Sequence, residues 1–270
     1  MIVDERIVDY IHSLETRNSD ILETIEQEAL KERVPIIRKE MQSFLKVLLL
    51  LKRPERILEI GAAVGFSALL MSEYAGNGCR IDTIENYEKR IQKAEENIKR
   101  AGKEEQIHLL KGDAMEILKT LEEPYDMIFV DAAKAQYIAY FPEVMRLLNK
   151  DGMLISDNVL RDGGIMESRF AVERRDRTIH SRMREYLYLL KHDERLETAV
   201  VPMRGRGVCQ CKEGVNKNAS SGIISAGEQP GSAENRSDFR GRCRIYRWRG
   251  LWPSCESEKF FHGRHERRNC

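Results

Sequence analysis

Asp131, Lys134, Asp157 and Asn158 are the residues of this chain whose types and spacing best suit chemistry. They form two groups, Asp131-Ala132-Ala133-Lys134 and Asp157-Asn158. Two carboxylates and an amide oxygen make a hard, oxygen-only donor set suited to Mg²⁺ or a similar divalent cation. The lysine three residues beyond the first aspartate adds a base. Each group closes an apolar run, Tyr125 to Val130 before the first and Gly152 to Ser156 before the second. Such runs predict buried strands of a parallel sheet, and in open α/β sheets ligands bind beyond the carboxyl ends of the strands. One strand-end acid alone is ordinarily a solvated polar residue. The two groups together predict a site.

The glycine turn earlier in the chain points to a second ligand. Arg56-Ile57-Leu58-Glu59-Ile60 reads as a strand that runs into Gly61-Ala62-Ala63-Val64-Gly65-Phe66-Ser67, with helical spacing after it. A glycine turn between strand and helix lets a ligand approach the backbone and the helix N-terminus. Glu85 ends the next strand, where an acid can accept both hydroxyls of a ribose. Gly112-Asp113 closes a third strand, Ile107 to Leu110. The turn has GxxxG spacing, whereas dinucleotide binders use GxGxxG, so NAD is disfavoured.

The elements that must position these residues follow from periodicity. Residues 3–53 read as helices, with apolar faces Ile7/Ile11/Leu14, Ile21/Leu22/Ile25/Ala29 and Phe44/Val47/Leu48/Leu51. Pro35 breaks that series and Pro54 ends it. Strands near 80–85, 107–112, 125–130 and 152–156 then alternate with helical stretches, among them an amphipathic one from Glu88 to Arg100. A long basic helix is predicted over 171–192, carrying Arg174, Arg175, Arg177, Arg182 and Arg184, and a sixth strand over Thr198 to Val201.

Composition divides the chain. Of its 270 residues 41% are hydrophobic and 33% charged, and the net charge of +1 hides a split. Residues 204–270 carry 14 Lys+Arg against 7 Asp+Glu, and residues 1–203 carry 31 against 37. Early acids exclude a signal peptide at the N-terminus, and Leu48 to Leu51 is too short to span a bilayer. A soluble, cytoplasmic protein is expected, with Cys79 alone in residues 1–203 and five cysteines in residues 204–270. Cys209, Cys211, His262 and His265 match no standard zinc spacing. Residues 213–270 lack apolar periodicity and are expected to be disordered. Read one nucleotide later, permitted codons for Arg204 to Lys212 yield Gly-Asp-Gly-Val-Cys-Val-Ser-Val, a glycine turn followed by an alternating strand. The tail is therefore expected to be a frameshift product, with Val208 to Lys212 pairing as a short edge-like strand. The organisation read from sequence is a helical segment 1–53, a ligand-binding domain 54–212 and an aberrant tail 213–270.

Residues 1 to about 203 resemble the class I S-adenosylmethionine-dependent methyltransferases, and among them the cation-dependent, catechol-type O-methyltransferase family. The resemblance rests on Leu58-Glu59-Ile60-Gly61 with Gly65-Phe66-Ser67, on Glu85, on Gly112-Asp113, on Asp131 to Lys134 and on Asp157-Asn158-Val159-Leu160. A closer resemblance, to bacterial tRNA 5-hydroxyuridine methyltransferases, rests on Val34-Pro35-Ile36, on Gly163 after Leu160 and on the segment Arg174 to Arg184. It implies an α/β fold, a doubly wound and mostly parallel seven-stranded sheet whose antiparallel last strand sits between the fifth and sixth. It implies S-adenosylmethionine held by Ile37, Glu59, Gly61, Gly65, Ser67, Glu85, Asp113 and Asp131, with Ile37 and Ser67 at the methionine end. It also implies a divalent cation on Asp131, Asp157 and Asn158, Lys134 as the base with Asp131 beside it in catalysis, and a homodimer.

The substrate must offer adjacent oxygens to such a cation. A catechol and the 5-hydroxyl and 4-carbonyl of 5-hydroxyuridine both do. The arginine segment, with Lys31, Arg33, Arg38 and Lys39, favours a phosphate-bearing partner and hence tRNA as the expected substrate. A small-molecule catechol-type enzyme and a non-catalytic or disabled protein on the same fold are the alternatives.

Overall fold

The computed structural model describes residues 5–168, 170–203 and 206–212. Period-2 alternation along the central strands decides how it is layered. Ile57, Met127, Phe129, Met153 and Ile155 point to one face of a sheet, and Leu58, Ile60, Ile128, Val130 and Leu154 point to the other. Both sets are apolar, so both faces must be covered by helices. The strands are β1 (Arg56–Ile60), β2 (Arg80–Glu85), β3 (Ile107–Lys111), β4 (Tyr125–Val130), β5 (Leu148–Ser156), β6 (Leu196–Met203) and β7 (Arg206–Lys212).

Their order is β3-β2-β1-β4-β5-β7-β6, with β1 to β5 parallel and β7 antiparallel to both of its neighbours. β7 is thus an interior strand between β5 and β6, and the expected edge-like pairing is corrected. Backbone hydrogen bonds set this register (Ser156 opposite Val208, Met153 opposite Cys211) and need only extended chain. The strand order reverses between β1 and β4. That switch point is where a crevice opens in folds of this kind.

One face is covered by α2 (Asp20–Lys31), α3 (Lys39–Lys52), α4 (Phe66–Tyr74) and α5 (Glu88–Arg100). The other is covered by α6 (Ala114–Thr120), α7 (Tyr137–Leu147) and α8 (Arg177–His192). The short α1 (Glu5–Ser13) buries Val8, while Ile7, Ile11 and Leu14 stay exposed, contrary to the face expected. In α3 the buried stripe is Met41, Leu45, Leu48 and Leu49, leaving Val47 and Leu51 in solvent. That helix is apolar nearly all round from Phe44 to Leu51, so periodicity alone could not choose its inner face. The basic helix begins at Arg177, three residues after a 3₁₀ turn opens at Arg174.

The division expected at residue 53 does not mark a separate core. Leu22, Ile25, Met41 and Leu45 pack in the same cluster as Ile57, Phe66 and Phe129. Residues 213–270, with the disorder and frameshift expected of them, lie outside the described residues. Among the described residues no helix is long and apolar enough to cross a membrane.

Because Leu45 is fully buried in that shared cluster, Leu45→Ala should cost roughly 2–5 kcal/mol. Denaturant unfolding followed by circular dichroism and by tyrosine fluorescence should shift as one transition. An early separate loss of helix signal would show that residues 1–53 fold on their own.

Candidate functional site

Where β1 ends, Gly61 adopts φ +107° in contact with the end of β4. A Cβ built on Gly61 would lie 2.2 Å from the Asp131 carbonyl oxygen, and the Asp131 amide donates to the Ile60 carbonyl at 3.0 Å. Only glycine satisfies both the backbone angle and the space. Gly65, at φ +80°, opens α4, and its amide closes the turn onto the Ala62 carbonyl at 2.7 Å. Buried Asn97 on α5 fixes the turn from outside, donating from Nδ2 to the Val64 carbonyl at 2.9 Å.

Glu85, at the end of β2, is the polar centre of this corner. Its Oε2 accepts the Ala63 amide at 2.8 Å, and its Oε1 accepts the Asn86 and Tyr87 amides at 3.0 Å each. Three backbone donors hold the carboxylate in one orientation. A carboxylate has about four lone-pair sites, so acceptor capacity remains for a ligand hydroxyl.

Glu59 sits differently from the expectation. Its side chain is wholly buried on the strand face beneath α4 and is not part of the cavity wall. Thr83 Oγ1 donates to Oε2 at 2.5 Å, whereas Oε1 is buried without a hydrogen bond. Burial pushes the carboxyl up to about 7. The Ser67 and Thr83 hydroxyls oppose that shift, and the nearby charges of Asp131 and Glu85 reinforce it.

The carboxyl ends of β4 and β5 bring together the other group. The Asp157 amide donates to the Val130 carbonyl at 2.9 Å, placing Asp157 beside the end of β4. Asn158 adopts φ +64°, which Asn tolerates better than most residues, and its amide donates to Asp157 Oδ1 at 2.7 Å. Asn158 Nδ2 lies 3.3 Å from Asp131 Oδ1. Turning that side-chain amide over would present its oxygen beside the carboxylates, completing the oxygen-only set. Among the described residues there is no cluster of three His, Cys, Asp or Glu. The donors here are two carboxylates and one amide, a set that fits Mg²⁺ and not a thiolate- or imidazole-bound metal.

Two tyrosines that the sequence did not single out hold these strand ends. Tyr137 Oη lies 3.1 Å from both the Val130 and Asp157 carbonyls. Burial, with Asp131 and Asp157 nearby, raises its phenol well above the ordinary range, so it stays a donor. Tyr186 from α8 meets Ser156 Oγ at 2.8 Å and packs edge-on against Tyr137, with ring centroids 5.6 Å apart. No motif marks them. Their only signal is a polar tip on a core-facing aromatic.

A cavity of about 410 Å³ is lined by Ile37, Gly61, Ser67, Glu85, Asp131, Lys134 and Asn158, while Gly65 and buried Asp157 stand behind its wall. Its size is that of a nucleoside-sized ligand site. Lys134 stands in a 3₁₀ turn, Lys134–Gln136, at the wall. Arg90 and Tyr140 also line the cavity, though no motif marks them. The Ile37 wall is pinned from behind by buried Gln42, whose Nε2 donates to the Ile37 carbonyl at 3.1 Å and to Glu26 at 3.0 Å.

Asp113 is exposed and caps α6, accepting the Met115 and Glu116 amides at 2.9 and 3.3 Å. Its neighbours Gly112 and Ala114 line the cavity. Arg174, Arg175, Arg177, Arg182 and Arg184 are not brought to the cavity wall. Arg175 pairs with Glu173 at 2.9 Å, and Arg177, Arg182 and Arg184 donate to backbone carbonyls.

The O-methyltransferase family model matches residues 12–213. Catechol O-methyltransferases of Niastella koreensis and Mycobacterium tuberculosis are each 37% identical, over 128 and 112 residues. Those matches cover 46% and 41% of this chain but only 58% and 51% of the relatives, little more than half their length. The SAH-bound methyltransferase of Podospora anserina superposes with a TM-score of 0.69 at 25% identity, covering 78% of this chain and 95% of its own. The Bacillus cereus O-methyltransferase, in complex with SAH, shares the fold at TM-score 0.68 and 24% identity, covering 77% and 97%. The chain belongs to the O-methyltransferase family.

Glu59 yields a pH prediction. Its folded-state value lies above its unfolded one, so its protonated form stabilises the fold below about pH 4.5, and that contribution is lost as pH rises to about 7. The loss is of order 3 kcal/mol at most. Glu59→Gln should flatten the stability profile between these limits in urea melts at several pH values. A variant that keeps the wild-type slope would clear Glu59 of the effect.

Proposed function

We propose that this member of the O-methyltransferase family transfers a methyl group from S-adenosylmethionine to one hydroxyl of a small molecule carrying two adjacent oxygens, a catechol being the simplest. The observation that carries this reading is the single cavity. It places the Gly61–Ser67 turn and Glu85 next to Asp131, Asn158 and Lys134. Glu85 fits a ribose, because its carboxylate is oriented by three amides and keeps acceptor capacity. Gly61 admits a ligand against the backbone where a side chain would collide with Asp131. Both named catechol relatives and the SAH-bound neighbour support the same donor and acceptor classes.

Asp131, Asp157 and Asn158 would hold a divalent cation, which when bound supplies Lewis acidity to the paired oxygens of the acceptor. The protein's part is mainly positioning. The hydroxyl oxygen must lie in line behind the methyl carbon, and fixing that line removes entropy from the barrier. As the oxygen–methyl bond forms and the carbon–sulfur bond breaks, the hydroxyl proton passes to Lys134 Nζ. The sulfonium leaves as the neutral thioether.

A tRNA acceptor is the second reading, favoured by the exposed Arg174 and Arg175 ahead of α8. It is weakened by the use of Arg177, Arg182 and Arg184 within the fold. Methyl-labelled S-adenosylmethionine, offered with Mg²⁺ and either a catechol or tRNA bearing 5-hydroxyuridine, separates the two. Label in the catechol alone supports the main reading, label in the tRNA alone replaces it, and label in neither leaves a protein without this activity.

Two variants test the division of labour. Glu85→Ala should weaken S-adenosylmethionine binding by roughly 1–3 kcal/mol in calorimetry, the usual loss for charged hydrogen bonds. Asp157→Ala should abolish transfer while leaving that affinity near wild type. Full activity in the presence of a strong chelator would remove the cation from the proposal.

A further inference from the structure

Four basic residues of α8 end on main-chain carbonyls of two segments, the 165–172 stretch and the Lys134 turn, of which the second lines the cavity. Arg177 Nε reaches the Val172 carbonyl at 3.1 Å, His180 Nε2 reaches Glu167 at 3.1 Å, and Arg184 Nη1 reaches Ile165 at 3.1 Å. Those three residues are spaced i, i+3, i+7 and share one face of the helix. They hold the stretch that follows Asn158. Arg182 projects from a different face, and its Nη1 donates to the Ala135 carbonyl at 3.0 Å. Ala135 is the residue after Lys134, inside the same 3₁₀ turn.

Such a turn is held weakly by itself, since three residues make few backbone hydrogen bonds and those are of poor geometry. This turn runs into α7 at buried Tyr137, and the Arg182 bond, charge-assisted though solvent-exposed, ties its middle to α8 as well. The helix is well anchored for the purpose. Met183, Tyr186 and Leu190 are buried against the sheet, and Tyr186 meets Ser156, the residue before Asp157. One rigid body thus touches both the strand end that carries Asp157 and the turn that carries Lys134.

We propose that Arg182 is a positioning residue for methyl transfer, fixing the Lys134 turn against α8 so that Lys134 keeps its place relative to Asp131 and Asn158. The inference rests on the cavity being the methyl-transfer site. It assigns Arg182 a role within the fold in place of a nucleic-acid contact.

The test uses the full chain with Arg182→Met, which keeps much of the stem and loses the donors, and Arg182→Lys, which keeps a cation. Steady-state kinetics with S-adenosylmethionine, Mg²⁺ and catechol are combined with amide hydrogen exchange. Arg182→Met should lower kcat about tenfold or more with KM for S-adenosylmethionine within about twofold, as a misplaced catalytic group does. Arg182→Lys should recover part of kcat. Exchange should quicken at residues 133–137 and stay unchanged in β1 and β4. Wild-type exchange at 133–137 in Arg182→Met, an equal rise throughout the chain, or unaltered kcat would each overturn the assignment. If the wild-type chain methylates no catechol, the substrate reading fails, and the exchange pattern alone decides whether Arg182 holds the turn.

Discussion

The ends of β1 and β4 approach so closely that only a hydrogen atom fits on Gly61, and the rest of the site depends on that contact. The sheet reverses its order there, so the helices on either side diverge and leave a crevice. Within it, the Asp131 amide is tied back to Ile60 while the Asp131 carbonyl occupies the space a Cβ at Gly61 would need. The turn after β1 and the acid after β4 are therefore fixed relative to each other by backbone alone. Two further groups inherit that registration, the Glu85 corner through Ala63 and the Asn158 amide through Asp131.

Polar groups deep in the fold divide into two kinds. Glu85 is surrounded by amide donors and remains a ready acceptor at the cavity wall. Glu59 is wholly buried with only the Ser67 and Thr83 hydroxyls beside it, and burial shifts it toward the neutral form. Two glutamates of similar sequence setting thus meet different surroundings, backbone amides in one case and a buried strand face in the other.

Much of this was legible in the residues. Apolar runs of strand length ending in acids mark β4 and β5, and the glycine turn marks β1 and α4, because short-range patterns report directly on backbone and burial. Of the residues expected at the site, Ile37, Gly61, Ser67, Glu85, Asp131, Lys134 and Asn158 line one cavity, and Glu59, Gly65, Asp113 and Asp157 do not. What could not be read depends on distant partners. The interior place of β7 follows from pairing with β5 and β6, which nothing in Val208 to Lys212 specifies. The arginines of α8 read as a charged face, since a sequence shows a cation but not the carbonyl that receives it. Asp113 reads as a strand-end acid like the others, yet the start of α6 claims one of its oxygens. Tyr137 and Tyr186 were invisible for the same reason: they look like core and act through their hydroxyls.

The three amides on Glu85 have a kinetic consequence. They come from two neighbouring turns, Ala63 after β1 and Asn86 and Tyr87 after β2. The corner that would receive a nucleoside is therefore ordered when the chain folds, and an arriving ligand has little loop freedom left to quench. Encounter at that end should resemble docking onto a rigid mould. Any slow accommodation is left to the opposite end, where the Lys134 turn hangs from α8.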